Sequence, residues 1–215
     1  MADATLILLH LLILVYWLGG DLGAFVASFL IGDPHRERAA RLAAAGLLGD
    51  IDMAPRTALI LAFPTGYTLA VTRGWIELDP VWLGLVWIST GVWLALAWRI
   101  HLAHAGADGA RRIDLGVRWA AAIALSGASG LALLGVVVMP LFIALKLILL
   151  AACILIGLLV RRLTADLGPA LKALAVGEAD ADRRISRSLA ATRPAVVSLW
   201  LLLVVAAILG VWKPA

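Results

Sequence analysis

The chain has 215 residues, of which 63% are hydrophobic and 15% are charged, and its mean hydropathy is +1.02. Soluble domains are about half apolar and about a quarter charged, so this composition excludes an ordinary soluble fold and predicts an all-α, polytopic membrane helix bundle. The net charge of +4 is confined to a few connecting segments, so nucleic acid is not an expected partner. The single cysteine, Cys153, excludes an intramolecular disulfide and a cysteine-based metal cluster.

Six apolar runs are each long enough to cross a bilayer, which takes about 20 helical residues. They cover residues 6–31, 54–72, 81–100, 117–139, 141–160 and 195–212. The first run is too long for a signal peptide and no positive segment precedes it, so we expect it to be retained. The sequence therefore predicts one transmembrane domain over residues 1–215 with six spans and the lipid bilayer as its surroundings.

The distribution of lysine and arginine predicts the orientation of these spans. The loops after the first, third and fifth runs carry most of the basic residues, whereas the alternate connections hold Arg73 and the uncharged Met139-Pro140 turn. The positive-inside rule assigns the three basic loops to the cytoplasm. Both termini are then predicted on the periplasmic face of a bacterial-type inner membrane.

A polar stripe follows one face of the first run. His10 and Asp21 are eleven residues apart, and Trp17 and Ser28 fall within about 20° of the same face at 3.6 residues per turn. Polar groups inside a span usually face the bundle interior. A glycine pair that includes Gly20 lies beside the stripe, where it allows another helix or a flat ligand to approach closely.

A candidate site lies near the predicted outer boundary. His10 and Lys146 are both about 8–9 Å inside their spans at 1.5 Å per residue, and Tyr67 falls near the same level. An intramembrane histidine predicts ligand binding, and Lys146 and Tyr67 are the candidate catalytic residues. The alternative is that these side chains extend to the interface without a shared role.

Two further groups lie near the predicted cytoplasmic side. Asp21 and Arg56 are predicted to form an ion pair between spans, with Arg193 nearby, either to hold helices together or to serve as a relay. His101 and His104 share a helix face and form a weaker candidate metal site, whose alternative is an ordinary interfacial belt. Four tryptophans on opposite faces of the third run are predicted to serve in lipid anchoring and packing, namely Trp82, Trp87, Trp93 and Trp98.

Three segments resemble one family of membrane proteins. They are the stretch from His10 through Trp17 to Gly19-Gly20, the segment from Leu141 to Leu147 around Lys146, and the last span from Arg193-Pro194 to Trp212-Lys213. These segments resemble the HemJ/CopD-like integral membrane proteins. HemJ proteins have four spans, so the third and fourth runs of this chain are additional to the family pattern.

The resemblance implies a haem b cofactor and a redox activity. It implies that His10 is the axial ligand of the haem iron, that Trp17 and Gly20 lie at the cofactor, and that Lys146 faces a propionate or a substrate carboxylate. HemJ-type proteins oxidise protoporphyrinogen IX, and CopD-type proteins are linked to copper uptake. A copper role is disfavoured because soft ligands are scarce: the chain has three methionines and one cysteine.

Three functional hypotheses remain open at the level of sequence. The first is a haem-b-binding membrane oxidoreductase or electron-transfer protein, protoporphyrinogen-oxidase-like, with a porphyrin or quinone partner. The second is a transporter or permease for an ion, proton or copper that uses Asp21, Arg56 and His10. The third is a non-catalytic assembly subunit, either a homo-oligomer or bound to a membrane partner protein. Haem content separates the first from the other two.

Overall fold

The computed structural model of the protein describes residues 2–77, 79–103 and 106–214, and within these residues there is no β-strand. The predicted all-α fold is confirmed for this part of the chain. The helices are α1 (Ala2–Gly32), α2 (Arg38–Ile51), α3 (Met53–Thr72), α4 (Pro80–Leu102), α5 (Asp108–Leu133), α6 (Leu141–Leu163), α7 (Leu167–Val176) and α8 (Ala181–Trp212).

The six longer helices form a closed ring. Helix α1 packs on α3, α3 on α4, α4 on α5, α5 on α6, α6 on α8, and α8 returns to α1, while α3 also touches α6 across the middle. Helices α1 and α3 run in opposite directions, because Gly20 lies against Pro55 whereas His10 lies against Gly66. Each long helix therefore buries side chains against both of its neighbours in the ring.

The surface of the bundle is apolar and parts of its interior are polar. Helices α1, α4, α5 and α8, and the segment Leu141–Val176, are long and apolar enough to cross a membrane. Val15, Ile88 and Ile123 are 65%, 66% and 68% exposed, whereas Asp114 and Ser129 are each only 1% exposed. This inverts the pattern of a soluble protein and suits a lipid environment. The chain is a multi-pass membrane protein.

Helix α3, the second predicted span, is long enough but is not among the helices apolar enough to cross a membrane. It carries Arg56, Pro64 and the polar residues Thr65, Tyr67 and Thr68. Its buried positions are spread along its whole length, from Met53 to Ala70. A helix covered by neighbouring helices needs less apolar surface than one facing lipid, which accounts for its lower hydropathy. A count of six spans remains a prediction.

Two predicted spans have different bounds in the structure. Helix α5 begins at Asp108 and ends at Leu133, whereas the apolar run covers 117–139. Helix α8 begins at Ala181 and continues through Pro194, well before the apolar run at 195–212. Both helices begin before the apolar runs. In the first turn of α8, Asp182 pairs with Arg41 of α2 and Arg184 with Asp166, whereas in α5 Asp108 pairs with Arg111 of the same helix. Arg111 and Arg112, which precede the predicted span, are therefore helical.

The two ends of the ring differ in character. One end, called here the terminal end, contains the start of α1 and the last turn of α8. His10, Lys146 and Gly210 lie there. The basic end holds the arginines of α2, α5, α6 and α8. Here α2, α7 and the start of α8 enclose a small apolar cluster around Ile31 and Ile185, both 0% exposed.

Candidate functional site

The polar stripe of α1 lies on the inner face of the ring. Trp17 and Ser28 are buried, and His10 and Asp21 are half-buried. Trp17 belongs to the main apolar cluster, which also includes Leu59, Ile154 and others from the surrounding helices. This apolar layer separates His10, at the terminal end, from Asp21, which faces the basic end.

A hydrogen bond fixes the imidazole of His10. Nδ1 of His10 lies 2.9 Å from Oγ1 of Thr65, and the same hydroxyl donates to the carbonyl of Leu61 at 2.7 Å. Because that hydroxyl proton is already committed to Leu61, the His10 ring donates from Nδ1. The free lone pair is then on Nε2. A neutral imidazole held in this tautomer is suited to bind a metal through Nε2.

Lys146 approaches the same end of the bundle from α6. Its ammonium occupies the space that a side chain at position 210 would fill, since a Cβ built on Gly210 would lie 2.7 Å from Nζ. Lys146 is close enough to act electrostatically on His10, and Lys213 on Lys146. Nζ of Lys213 also lies 5.2 Å from the centre of the Trp75 ring. The structure thus brings the predicted histidine and lysine together beside a second lysine.

Tyr67 and Gly20 have other contacts. Tyr67 stacks on Phe63 of its own helix, with ring centres 5.6 Å apart, and this contact does not connect it to His10. A Cβ at Gly20 would lie 2.7 Å from Cδ of Pro55 and 2.8 Å from Cβ of Ala54. Helix α3 therefore fills the space beside Gly20. Of the two expected uses of this glycine, the structure shows the close approach of another helix, which leaves no room for a flat ligand at Gly20.

An apolar groove lies between α1 and α8, starting one turn beyond His10. Its volume is about 370 Å³. Leu14 and Leu18 line it from α1, and Leu203, Ala207 and Trp212 are among its residues on α8. This groove offers an apolar space close to His10 along α1.

A larger cavity of about 780 Å³ occupies the basic half of the ring. Trp17 and Asp21 lie at its inner limit, and the first part of α5, the last turns of α6 and the middle of α8 line it towards the basic end. Its charged lining residues come from five helices and the α2–α3 junction, and they are Asp21, Asp52, Arg56, Arg111, Arg118, Arg161 and Arg193. The cavity is therefore cationic at its mouth and closed towards the terminal end by the apolar layer.

The predicted ion pair between Asp21 and Arg56 is not formed. Arg56 pairs with Asp52, one turn earlier along the chain, so the shorter intrahelical reach decides the partner. Asp21 lies beside the indoles of Trp17 and Trp200. Its Oδ2 atom and Nε1 of Trp200 are buried without hydrogen-bond partners. Asp21 is thus a polar group at the cavity floor with unused hydrogen-bonding capacity.

Arg193 closes one side of the cavity mouth. It donates to Oγ and to the carbonyl of Ser28, each at 3.3 Å. Its guanidinium also lies over the ring of Phe29, 3.9 Å from the ring centre. These contacts join α8 to α1 through neutral groups, so Arg193 is linked to the stripe at Ser28 and not through a carboxylate.

Sequence reasoning missed a buried charge network around Asp114. This carboxylate accepts hydrogen bonds from Nε1 of Trp93 and Nε of Arg118, each at 3.0 Å, and pairs with Arg161 at 3.1 Å. The network joins α4, α5 and α6, so the interpretation of Trp93 as a lipid anchor is wrong. The four-residue spacing of Asp114 and Arg118 was the available signal, but Asp114 lies before the predicted span at 117–139, so the two were not placed on one helix.

The weaker metal site of His101 and His104 stays a prediction. Nε2 of His101 lies 3.5 Å from Oδ1 of Asp50, and His104 falls outside the residues that the structure describes. Across residues 2–77, 79–103 and 106–214, no three histidine, cysteine, aspartate or glutamate side chains are arranged to hold a metal ion.

Comparison with protein-family models, with curated proteins and with solved structures finds no match. The function is therefore inferred from the residues of this chain. Two places concentrate its polar groups: the His10, Thr65 and Lys146 site at the terminal end, and the arginine-lined cavity at the basic end.

Proposed function

We propose that the protein is a haem-b-binding membrane oxidoreductase or electron-transfer protein with His10 as the axial ligand. The observation that carries this proposal is the hydrogen bond from Nδ1 of His10 to Thr65, which leaves Nε2 free. Haem-ligating histidines are oriented in this manner by a bond from the other ring nitrogen. A histidine inside a membrane bundle also has few uses other than ligand binding or proton transfer.

The surroundings of His10 suit an amphipathic, anionic cofactor. Lys146 and Lys213 supply positive charge for carboxylate groups, and the groove at Leu14 and Leu18 supplies apolar walls. Bound haem would provide a one-electron couple whose potential depends on its ligand and on burial. The apolar layer around Trp17 would keep water of the basic-end cavity away from it.

The finer assignments follow from the resemblance to HemJ/CopD-like proteins and from the charge distribution. We assign a porphyrin or a quinone as the reaction partner, with protoporphyrinogen oxidation as the activity to assay first. We assign both termini to the periplasmic face of a bacterial-type inner membrane and the basic end to the cytoplasm. In this arrangement His10 lies near the periplasmic surface.

An optical difference spectrum tests the proposal. The protein is purified in detergent after expression with ample haem, and reduced-minus-oxidised spectra are recorded for wild type, His10→Ala and His35→Ala. His35 is an exposed loop residue and serves as the matched control. We expect a b-type signal in wild type and His35→Ala that is lost in His10→Ala and partly restored by added imidazole. Well-folded wild-type protein without haem would refute the proposal.

A transporter or permease is the second candidate, favoured by the basic-end cavity. The cavity is open at the basic end and stops at Trp17 in the middle of the bundle. A transporter in one state of its cycle likewise has a binding site that is open to one side of the membrane only. Asp21 at its floor would be the site of proton or ion coupling. Ion or proton flux into proteoliposomes that is lost in Asp21→Asn but kept in His10→Ala would favour this candidate over haem binding.

A further inference from the structure

The guanidinium groups at the basic-end cavity exceed the carboxylates that pair with them. Arg56 pairs with Asp52, but Arg118 and Arg161 share the single carboxylate of Asp114. Arg56, Arg118 and Arg161 come from three helices and line the same cavity, and both Arg118 and Arg56 lie near enough to Arg161 to repel its charge. One positive charge in this group is therefore uncompensated.

Arg193 adds a second uncompensated charge on the other side of the mouth. Its contacts are Ser28 and the ring of Phe29, which are both neutral. Two unbalanced guanidinium groups that line one partly enclosed space favour an anion between them. Guanidinium forms paired hydrogen bonds with phosphate and carboxylate groups, so these arginines are suited to hold such an anion firmly.

The depth of these arginines is that of lipid headgroups. Arg161 lies 20 residues after Leu141, and Arg193 lies 19 residues before Trp212, so each is about 30 Å from the terminal end of its helix at 1.5 Å per residue. That distance matches the thickness of the hydrocarbon core, about 30 Å. Both guanidinium groups therefore lie where the phosphate groups of one leaflet lie.

The shape of the cavity continues inwards from this level. Below the arginines its walls are largely apolar, formed by Phe25, Leu59, Leu158 and Leu199 among others. A charged group is therefore favoured at the mouth, beside the arginines, and an apolar group beneath it. The volume of about 780 Å³ is far larger than a phosphate ion needs.

We propose that this cavity binds a phosphate-type anion, held at its mouth by Arg161 and Arg193. The anion is either the headgroup of an acidic lipid, whose acyl chain lies along the apolar walls, or free phosphate. The site is separate from His10 and does not depend on haem binding.

Binding to full-length protein in neutral detergent tests the proposal and identifies the source of the anion. The probes are phosphatidic acid, diacylglycerol as the same amphiphile without phosphate, and inorganic phosphate. The variants are Arg161→Gln and Arg193→Gln, with Arg162→Gln and Arg187→Gln as controls, because Arg162 and Arg187 are exposed and do not line the cavity. Affinity is measured by titration, and no haem signal is involved.

We expect phosphatidic acid to bind more tightly than diacylglycerol, and each cavity substitution to weaken its binding about tenfold or more, since a charged hydrogen bond is lost. Arg161→Lys and Arg193→Lys keep the positive charge but lose the paired hydrogen bonds of guanidinium, so they should weaken the binding of phosphatidic acid less. They replace the glutamine variants if those variants misfold. Binding of phosphatidic acid without competition by phosphate identifies a lipid, and equal competition identifies the free ion. Equal affinity for diacylglycerol, or equal losses in the control variants, would overturn the proposal.

Discussion

The polar groups at the terminal end meet through one hydrogen bond, between His10 and Thr65, whereas those at the basic end form ion pairs across several helices. The first site holds a neutral histidine and a lysine near the surface; the second holds a carboxylate, Asp114, that is 2% exposed between two arginines. A charged side chain that is buried away from water is stable only with an oppositely charged or hydrogen-bonding partner, whereas a neutral imidazole needs only a hydrogen bond that fixes its orientation. The ion pairs of the basic end thus stabilise the fold and favour the binding of ions, whereas the hydrogen bond at the terminal end orients His10 so that Nε2 is available to a ligand.

The largest effect is expected from breaking the ion-pair network. Asp114→Ala leaves Arg118 and Arg161 without their shared carboxylate, and we expect the free energy of unfolding to fall by about 3–5 kcal/mol, as for other broken buried pairs. Asp108→Ala is the control, because Asp108 is 82% exposed and its pair with Arg111 lies at the surface. Chemical denaturation in detergent measures both variants, and equal stability would show that the network does not hold α4, α5 and α6 together.

A smaller effect is expected in the layer that separates the two sites. The Cβ of Gly20→Ala would lie within 3.0 Å of atoms of Pro55 and Ala54, so α1 and α3 must move apart, at a cost of about 1–3 kcal/mol. Gly19→Ala meets nothing within 4 Å and should instead stabilise the helix, by about 0.5–1 kcal/mol. If thermal unfolding gives the two variants the same stability, the close contact of α1 with α3 is not required.

The smallest effect on stability is expected at the terminal end. Thr65→Val removes the acceptor for Nδ1 of His10 and should cost about 0.5–1.5 kcal/mol, whereas Thr65→Ser keeps the hydroxyl and should change little. Nitrogen NMR of labelled histidine should show the Nδ1–H tautomer of His10 in wild type and the serine variant, and a mixture in the valine variant. An unchanged tautomer in Thr65→Val would mean that Thr65 does not orient the ring.

These comparisons show why part of each site was predictable. The depth of His10 and Lys146 followed from counting residues at a fixed rise, so their meeting at one end was expected from sequence alone. The ion-pair partners of Arg56 and Asp114 could not be predicted from the sequence. A long arginine side chain can pair with any of several carboxylates within its reach. Arg56 pairs with Asp52, one turn earlier along the chain, in place of Asp21 on α1, and Arg161 of α6 pairs with Asp114 of the adjacent helix α5.

The sequence by itself determined the helical, membrane-embedded class and the inward face of α1, because hydropathy and the helical period act locally along the chain. Only the tertiary structure decided that α3 fills the space beside Gly20, that Trp93 binds a buried aspartate, and that five arginines border one cavity. These outcomes depend on which helices become neighbours in the ring and at what depth. That order is set by packing between segments far apart in sequence, where the apolar pattern of any one segment carries little information.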